Sequence, residues 1–174
     1  YPEDGLKIYE KYLPTGWQDD LKIISTPIDF CGQNLYNAHA VRAGENGELQ
    51  WVKRYVGFPH TGNMWPVTPE AIKWCALFTN RRYGNIPIYF TENGMAGSDV
   101  ISLDGKVHDP NRIDFLHRYL SGLKKAADEG CEVDGYFQWS FMDNFEWAKG
   151  YNPRFGIVHV DYQTQKRTLK DSAY

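Results

Sequence analysis

A carboxylate at the end of an apolar run is the first residue whose type and position suggest chemistry. The run "PIYFTENGM" (87–95) is rich in aromatic and β-branched residues and ends with Glu92, Asn93 and Gly94 before its methionine. Two neighbouring carboxylates, one ionised and one protonated, are the minimum equipment for cleaving an acetal such as a glycosidic bond. Glu92 is a candidate for one of them. The alternative is a solvated glutamate that precedes an Asn-Gly turn.

A second stretch, "WSFMDNFEWAKGYNPRFG" (139–156), combines aromatic and polar side chains. Its aromatic members include Trp139, Phe145 and Trp147, and these alternate with Asp143, Asn144 and Glu146. Sugar sites combine flat apolar faces, on which a ring can stack, with carboxylates that accept bonds from hydroxyls. The alternative is an aromatic loop that packs on its own scaffold, and these residues alone leave both interpretations open. We expect Asp143 to brace its loop rather than to react.

The elements that must position these residues alternate between helix and strand. Apolar periodicity and turn residues predict helices over 3–14, 67–84 and 109–130, and strands over 27–41, 86–91 and 133–142. A hairpin is predicted near 45–47, and a closing hairpin over 154–169. Thr68 and Asp109 are the predicted N-caps, each followed by a proline. The expected buried face of the last helix consists of Ile113, Leu116, Leu120, Leu123 and Ala127.

Strands separated by helices of this length imply parallel pairing through right-handed crossovers, so we predict an α/β protein. An open doubly wound sheet and a (β/α)8 barrel both fit this order. No GxGxxG or P-loop opens a helix, which disfavours the nucleotide-binding version. In a barrel, chemistry gathers where strands end. Polar residues stand at those ends here: Asn34 and Tyr36, Glu92 and Asn93, Trp139 and Ser140.

The orientation of Glu92 follows from strand alternation. Glu92 has the same parity as Ile86, Ile88 and Phe90. Alternate residues of a strand share one face, so we expect Glu92 to continue that face and to point into the mouth of a barrel.

Composition disfavours several other classes of protein. The 174 residues carry a net charge of −3 with both signs interspersed, so the basic stripe that nucleic acid or an anionic membrane needs is missing. The cysteines Cys31, Cys75 and Cys131 lie far apart, which predicts thiols in a reducing compartment and a cytoplasmic location. None of the five histidines has metal-ligand spacing, so we expect neither a metal nor a cofactor.

Four ordered motifs resemble glycoside hydrolase family 1, the β-glucosidase family. "YFTENG" is similar to the family's nucleophile motif and "DFCGQNLY" to its sixth strand. "NMWPVTPEAI" resembles the loop on the aglycone side, and "QWSFMDNFEWAKGYNPRFGIVHVDY" resembles the signature of the eighth strand. The likeness runs almost from end to end. Leu35, where the family often has an aromatic residue, and Gln33 depart from the pattern and are expected to affect the side wall or the aglycone region.

The resemblance implies a retaining β-glycosidase whose nucleophile is Glu92 and whose Tyr36 donates a hydrogen bond to that carboxylate. It assigns substrate contacts to Asn34, Trp65, Trp139, Glu146, Trp147 and Phe155, with Trp139 as the platform under the sugar. An acidic Glu146 would repel a sugar phosphate, so the expected substrate is an unphosphorylated β-glucoside or β-galactoside. The rival from another class is a non-catalytic carbohydrate-binding module or an inactive barrel fragment.

The chain is too short for the barrel that the resemblance implies. A (β/α)8 barrel takes about 250 residues, whereas residues 1–174 match only about units 6 to 8, the C-terminal part of one catalytic domain. The family's acid/base glutamate, in an Asn-Glu-Pro motif, has no counterpart here. We therefore expect the missing N-terminal part of the barrel to be the chain's partner, and the isolated chain to be inactive.

Overall fold

The computed structural model of the protein describes residue 1 and residues 3–174. The helices are α1 (Glu3–Tyr9), α2 (Trp17–Ile24), α3 (Glu70–Tyr83) and α4 (Pro110–Asp128). The strands are β1 (Cys31–Asn34), β2 (Val41–Ala43), β3 (Leu49–Trp51), β4 (Ile88–Asn93), β5 (Val133–Gln138), β6 (Val158–Val160) and β7 (Arg167–Leu169). Short 3-10 turns occupy Glu10–Tyr12, Trp147–Lys149 and Asp171–Ala173.

The main sheet has the order β1-β4-β5, and both pairings are parallel. Helix α3 connects β1 to β4, and α4 connects β4 to β5, so the predicted alternation and the α/β class are confirmed. The two predicted hairpins are also present as β2–β3 and β6–β7. Among the described residues, no helix is both long and apolar enough to cross a bilayer.

Several predicted boundaries are wrong. The first helix was expected to run to Pro14, but α1 ends at Tyr9 and continues as a single 3-10 turn. The strand expected over 27–41 pairs only from Cys31 to Asn34, since the backbone after it leaves the sheet towards the site. Helix α2 was not predicted, although Trp17, Leu21 and Ile24 have the spacing of one helical face.

One core lies between the sheet and the pair α3 and α4. Its buried members include Ile72 and Ala76 of α3, Ile88 and Phe90 of β4, and Phe115, Tyr119 and Leu123 of α4. The rings of Phe115 and Tyr119 stack at 4.0 Å. A side chain at Gly122 would meet Pro69 O at 3.0 Å and Ile72 Cγ2 at 3.1 Å. Glycine therefore permits the close approach of α4 to α3.

The predicted buried face of α4 is partly wrong. Ile113 and Leu120 are 45% and 43% exposed, and Ala127 is exposed. The buried stripe is instead Arg112, Phe115, Tyr119, Gly122, Leu123 and Ala126. A search for aliphatic residues misses this stripe because one member is an ion-paired arginine and another is a glycine required by close packing.

The two predicted N-caps do not cap through their side chains. The Thr68 hydroxyl accepts the Ala38 N–H at 2.9 Å, so it fixes the loop after β1, and α3 begins one residue later than predicted. Asp109 does stand at the N-cap position of α4. Its carboxylate accepts instead from Arg112 and from the Ser172 hydroxyl, which tie the chain's last turn to this helix.

An exposed histidine links the β4–α4 segment to the last turn. His108 contacts Asp171 Oδ2 through Nδ1 at 2.6 Å and Asp104 Oδ2 through Nε2 at 3.0 Å. The hydrogen bond to Asp171, followed by that to Asp104, raises the pKa of His108 above 6.5. Because the folded pKa exceeds the unfolded one, the stabilisation is fully present below about pH 6.5 and is lost as pH rises through the folded value.

We expect NMR titration to give a pKa for His108 above 6.5 in the intact chain and a lower value in Asp171→Asn. The amide of that variant removes the largest cause of the shift and leaves the Asp104 contact in place. An intact chain whose His108 titrates at or below 6.5 would show that the two carboxylates do not hold the imidazole.

Candidate active site

The carboxyl ends of β1 and β4 bring two predicted site residues together. Asn34 and Glu92 are register partners at the ends of these neighbouring strands. Tyr36 follows two residues after Asn34, and its hydroxyl donates to Glu92 Oε2 at 2.7 Å. The hydrogen bond expected between Tyr36 and Glu92 is therefore confirmed. Asn34 itself is exposed, and its Oδ1 accepts from the Thr91 hydroxyl at 2.7 Å.

Strand alternation does not explain the orientation of Glu92, so that part of the prediction is wrong. Ile88 and Phe90 pack in the core against the helices, and the pairing of β4 with β5 becomes irregular between Phe90 and Asn93. The next buried side chain after Phe90 is therefore Asn93, three residues on. Its Nδ2 donates to Leu35 O at 2.7 Å, and its Oδ1 accepts from the Tyr136 hydroxyl at 2.8 Å. This irregularity leaves Glu92 half-buried beside Tyr36 instead of in the core.

Tyr36 is held as a neutral donor. Burial, and then the hydrogen bond and negative charge of Glu92, raise its pKa far above the usual value for tyrosine. The phenol therefore keeps its proton at neutral pH and is the donor in the hydrogen bond to Glu92. The core fixes its position, because the Tyr119 hydroxyl donates to the Tyr36 carbonyl oxygen at 3.0 Å.

Three aromatic rings form a wall beside this pair. The Tyr36 ring lies 5.2 Å from that of Trp65 and 6.2 Å from that of Phe155, and the Trp65 and Phe155 rings are 6.2 Å apart. Phe155 is fully buried and Trp65 half-buried. The wall brings together residues from the connection between β1 and α3 and from the connection between β5 and β6, as expected for the sides of a pocket.

We expect Tyr36→Phe to lower kcat about 10- to 100-fold in an enzyme that contains the whole barrel, because a hydrogen bond to a charged group contributes about 1.5–3 kcal/mol. The ring and its contacts with Trp65 and Phe155 remain in this variant. Tyr83→Phe is the matched control, since Tyr83 is exposed at the end of α3. Unchanged kcat in Tyr36→Phe would show that the bond to Glu92 has no part in the reaction.

Trp139 reaches the site because its backbone lies directly against the residues that follow Glu92. Its N–H donates to Asn93 O at 2.8 Å, and the peptide bond from Trp139 to Ser140 is cis. A Cβ atom at Gly94 would lie 1.8 Å from Trp139 O, so only glycine allows this approach. The half-buried indole is thus placed at the end of β5, next to β4.

Glu146 shares the electrostatic environment of Glu92. Burial raises the pKa of Glu146, the Glu92 charge adds to this effect, and Lys149 opposes it. The charge of Glu146 also contributes to the raised pKa of Tyr36. Trp147, in contrast, is 81% exposed, so the structure places its backbone beside Glu146 but leaves the indole uncovered.

The departures from the family pattern lie on the core side. The Gln33 amide donates to Thr79 Oγ1 at 2.7 Å and accepts from the Cys75 thiol at 3.2 Å. Leu35 packs against the core cluster. Gln33 therefore faces α3 and Leu35 packs on the core, and their effect on the side wall or the aglycone region stays a prediction.

A buried ionic network supports the loop that carries Glu146, and most of it was missed in the sequence. Its members are Asp99, Asp109, Arg112, Asp143, Arg154 and Lys170. Asp143 is 3% exposed and accepts from Arg154, Lys170 and two backbone N–H groups, which confirms that it braces its loop. Arg112 and Lys170 have no sequence signal that separates them from ordinary surface cations.

Metal ligands are not clustered in the described part of the chain: no group of three or more histidine, cysteine, aspartate or glutamate side chains there is placed to hold an ion. The chemistry available to the site is that of Glu92, its phenol donor, the second carboxylate of Glu146 and the surrounding aromatic rings.

Comparison with known proteins gives the family. The model of glycosyl hydrolase family 1 matches residues 1–174. The chain therefore belongs to glycosyl hydrolase family 1, a family that includes β-glucosidases, and the resemblance noted in the sequence is confirmed.

Relatives and solved structures agree with this assignment. Beta-glucosidase A of Thermotoga maritima is 46% identical over 176 residues, and a 1,4-beta-D-glucan glucohydrolase of Thermotoga neapolitana is 44% identical. A 6-phospho-beta-galactosidase of Clostridium acetobutylicum is 37% identical over 97% of this chain. The Thermotoga maritima beta-glucosidase structures in complex with castanospermine and with glucoimidazole superpose with a TM-score of 0.89.

This chain spans about 39% of the length of these relatives, although it is itself covered almost completely. The structural neighbours are (β/α)8 barrels, so the three-stranded parallel sheet and its helices form part of such a barrel.

Proposed function

We propose that residues 1–174 supply the nucleophile and much of the sugar pocket of a retaining β-glycosidase. The observation that carries this proposal is the 2.7 Å hydrogen bond from the Tyr36 phenol to Glu92, placed beside the aromatic wall of Tyr36, Trp65 and Phe155. A carboxylate that accepts a hydrogen bond from a phenol, at the end of a parallel strand, is suited to attack an electrophilic carbon.

In the proposed reaction a Glu92 oxygen bonds to the anomeric carbon while the bond from that carbon to the aglycone oxygen breaks. An acid from the part of the barrel outside this chain gives its proton to the departing oxygen. Water, deprotonated by the same group, then displaces Glu92 from the opposite face. Two inversions give net retention of the β configuration.

The remaining residues bind and orient the sugar. Trp139 lies under the ring, Glu146 accepts from the hydroxyls farthest from the scissile bond, and the Trp147 indole N–H donates to the same region. Asn34 lies near the hydroxyls next to the anomeric carbon. Phe155 and Trp65 complete the wall, with Trp65 towards the aglycone.

We propose an unphosphorylated β-glucoside or β-galactoside as the substrate. The relatives include an enzyme named for a phosphorylated sugar, so family membership does not decide this point. The local charges favour an unphosphorylated sugar. The Glu146 carboxylate would repel a phosphate dianion, and the neighbouring cation, Lys149, already donates to Asn63 Oδ1 at 3.2 Å.

The chain also needs a partner to complete the site. Its inner sheet face leaves Phe137 57% exposed, and an open apolar cavity of about 1030 Å³ lies beside Ile24, Ile28 and Ile86. Exposed apolar residues beside such a cavity are consistent with an interface. We propose that this chain provides about units 6 to 8 at the C-terminal end of one barrel domain, and that the remaining units bring the acid. A cytoplasmic location stays a prediction.

The stereochemistry of hydrolysis tests the proposed reaction. A hybrid enzyme, in which this chain replaces the matching segment of the Thermotoga maritima β-glucosidase, supplies the rest of the barrel. Proton NMR of the first product from an aryl β-glucoside should show the β anomer before mutarotation. The α anomer as first product would contradict the mechanism. Binding of the glycoside without any product would favour the carbohydrate-binding module.

A further inference from the structure

We propose that Lys170 is a positioning residue, which fixes the sugar-binding loop through a buried contact with Asp143 and Asp99. This inference rests on the proposed function, because it concerns the placement of Glu146 and Phe155 around a sugar. We call the group Lys170, Asp99, Asp143, Arg112 and Arg154 the lysine clamp.

The loop held by the clamp runs over 144–153. Asp143 precedes it and Arg154 follows it, and Arg154 Nη1 donates to Asp143 Oδ2 at 2.6 Å, so this ion pair closes the base of the loop. The other oxygen, Asp143 Oδ1, accepts from the Gly156 N–H at 3.1 Å. The loop therefore joins the scaffold at one carboxylate.

Lys170 connects this carboxylate to a second part of the chain. Its side chain is 0% exposed, and Nζ donates to Asp143 Oδ1 at 2.8 Å and to Asp99 Oδ2 at 2.5 Å. Asp99 lies between β4 and α4, and Lys170 follows β7 directly. Three segments that are distant in sequence thus meet at one ammonium group.

Arg112 completes the connection from the helix side. Its guanidinium donates to Asp99 Oδ2 at 2.6 Å and to Arg154 O at 2.8 Å. Cations and carboxylates alternate across the clamp, so each buried charge faces an opposite one. Lys170 is the cation that lies between Asp99 and Asp143, and removing one partner of a buried ion pair is strongly destabilising.

The position of Lys170 has a direct consequence for the pocket. Without its ammonium, the carboxylates of Asp99 and Asp143 face each other across the empty position, and their repulsion moves Asp143. Glu146 lies three residues after Asp143, and Phe155 follows Arg154 directly. Small displacements of groups that orient a substrate are costly, so the clamp sets how well Glu146 reaches the sugar's outer hydroxyls.

The test is Lys170→Met in the hybrid enzyme, with Lys124→Met as the matched control, since the Lys124 side chain is 74% exposed on α4. The readout is the ratio of kcat/KM for a β-glucoside to that for its 6-deoxy counterpart, measured below the melting temperature of each variant. We expect Lys170→Met to lower this ratio about tenfold and to raise KM for the glucoside, since Glu146 loses its alignment. Lys124→Met should leave the ratio unchanged.

Two further variants test whether Lys170 acts by positioning Glu146. Glu146→Gln combined with Lys170→Met should show the same ratio as Glu146→Gln alone, because both changes remove one contact. If Lys170→Met does not fold, Asp99→Asn with Lys170→Met removes one charge of each sign and so removes the repulsion. Asp143 still loses its contact with Lys170 in that variant, so the ratio should be lowered, by less than tenfold. An unchanged ratio in a folded Lys170 variant would overturn the clamp's role.

A hybrid enzyme without any turnover would instead refute the proposed function, and hydrogen exchange then decides the clamp separately. Amides of residues 144–153 should exchange about tenfold faster in Lys170→Met than in Lys124→Met, because the base of the loop opens. Equal exchange in the two variants would overturn the proposal whatever the activity.

Discussion

Replacing Glu92 with glutamine in the hybrid enzyme is expected to lower kcat roughly 10⁴-fold or more, because the amide cannot form the covalent intermediate. The amide still accepts the Tyr36 hydrogen bond, so the pocket keeps its shape. Sugar affinity should therefore change little, and the loss should fall on kcat rather than on binding. Initial rates with an aryl β-glucoside and equilibrium binding of a glucose-like inhibitor measure the two quantities.

The matched control for this variant is Glu132→Gln, because Glu132 is exposed directly before β5, at the end of the strand opposite the site. It should retain normal kcat. Near-normal turnover by Glu92→Gln would remove Glu92 from the role of nucleophile, whereas equal losses in both variants would indicate damage to the fold.

The second large effect concerns the isolated chain. We expect it to hydrolyse an ordinary alkyl β-glucoside at a negligible rate, because general acid catalysis contributes about 10²- to 10⁴-fold and the acid of the proposed mechanism lies outside these residues. Strands β1 and β5 are also the edges of the sheet in the described chain, and unpaired edges favour aggregation. The hybrid enzyme, which restores both the acid and the missing strands, should turn over the same substrate readily.

Inactivity of the isolated chain could come from the missing acid or from the incomplete sheet. A glycoside whose leaving group needs no protonation distinguishes these two causes. Reaction with this substrate but not with the alkyl glycoside would locate the defect in the missing acid. Ready turnover of the alkyl glycoside by the 174-residue chain alone would contradict the account of an incomplete site.

Local patterns were sufficient for those parts of the fold and site that depend on sequence neighbours. The alternation of helices and strands and both hairpins followed from periodicity and turn residues, whereas the Tyr36–Glu92 bond was implied by the resemblance to the family. The sequence predicted that Asp143 braces its loop. The four groups that donate to Asp143 could not be predicted, since they come from three separate segments.

Local sequence patterns could not predict features that depend on contacts between residues far apart in the chain. Alternation placed Glu92 on the face of Phe90, but an irregular pairing with β5 reverses that order, and nothing near Glu92 in the sequence indicates it. The buried face of α4 includes Arg112, whose partner Asp99 lies 13 residues away. Lys170 was overlooked for the same reason, because only the assembled fold shows that its charge is buried.

Covalent trapping tests the central claim most directly. A 2-deoxy-2-fluoro-β-glucoside with an activated leaving group reacts with a nucleophile without help from an acid, and the fluorine slows release of the sugar. Mass spectrometry of the hybrid enzyme should show an increase by one fluorosugar, and peptide mapping should place it on Glu92, with none in Glu92→Gln. A label on a different residue, or an unlabelled enzyme that still turns over β-glucosides, would contradict the account.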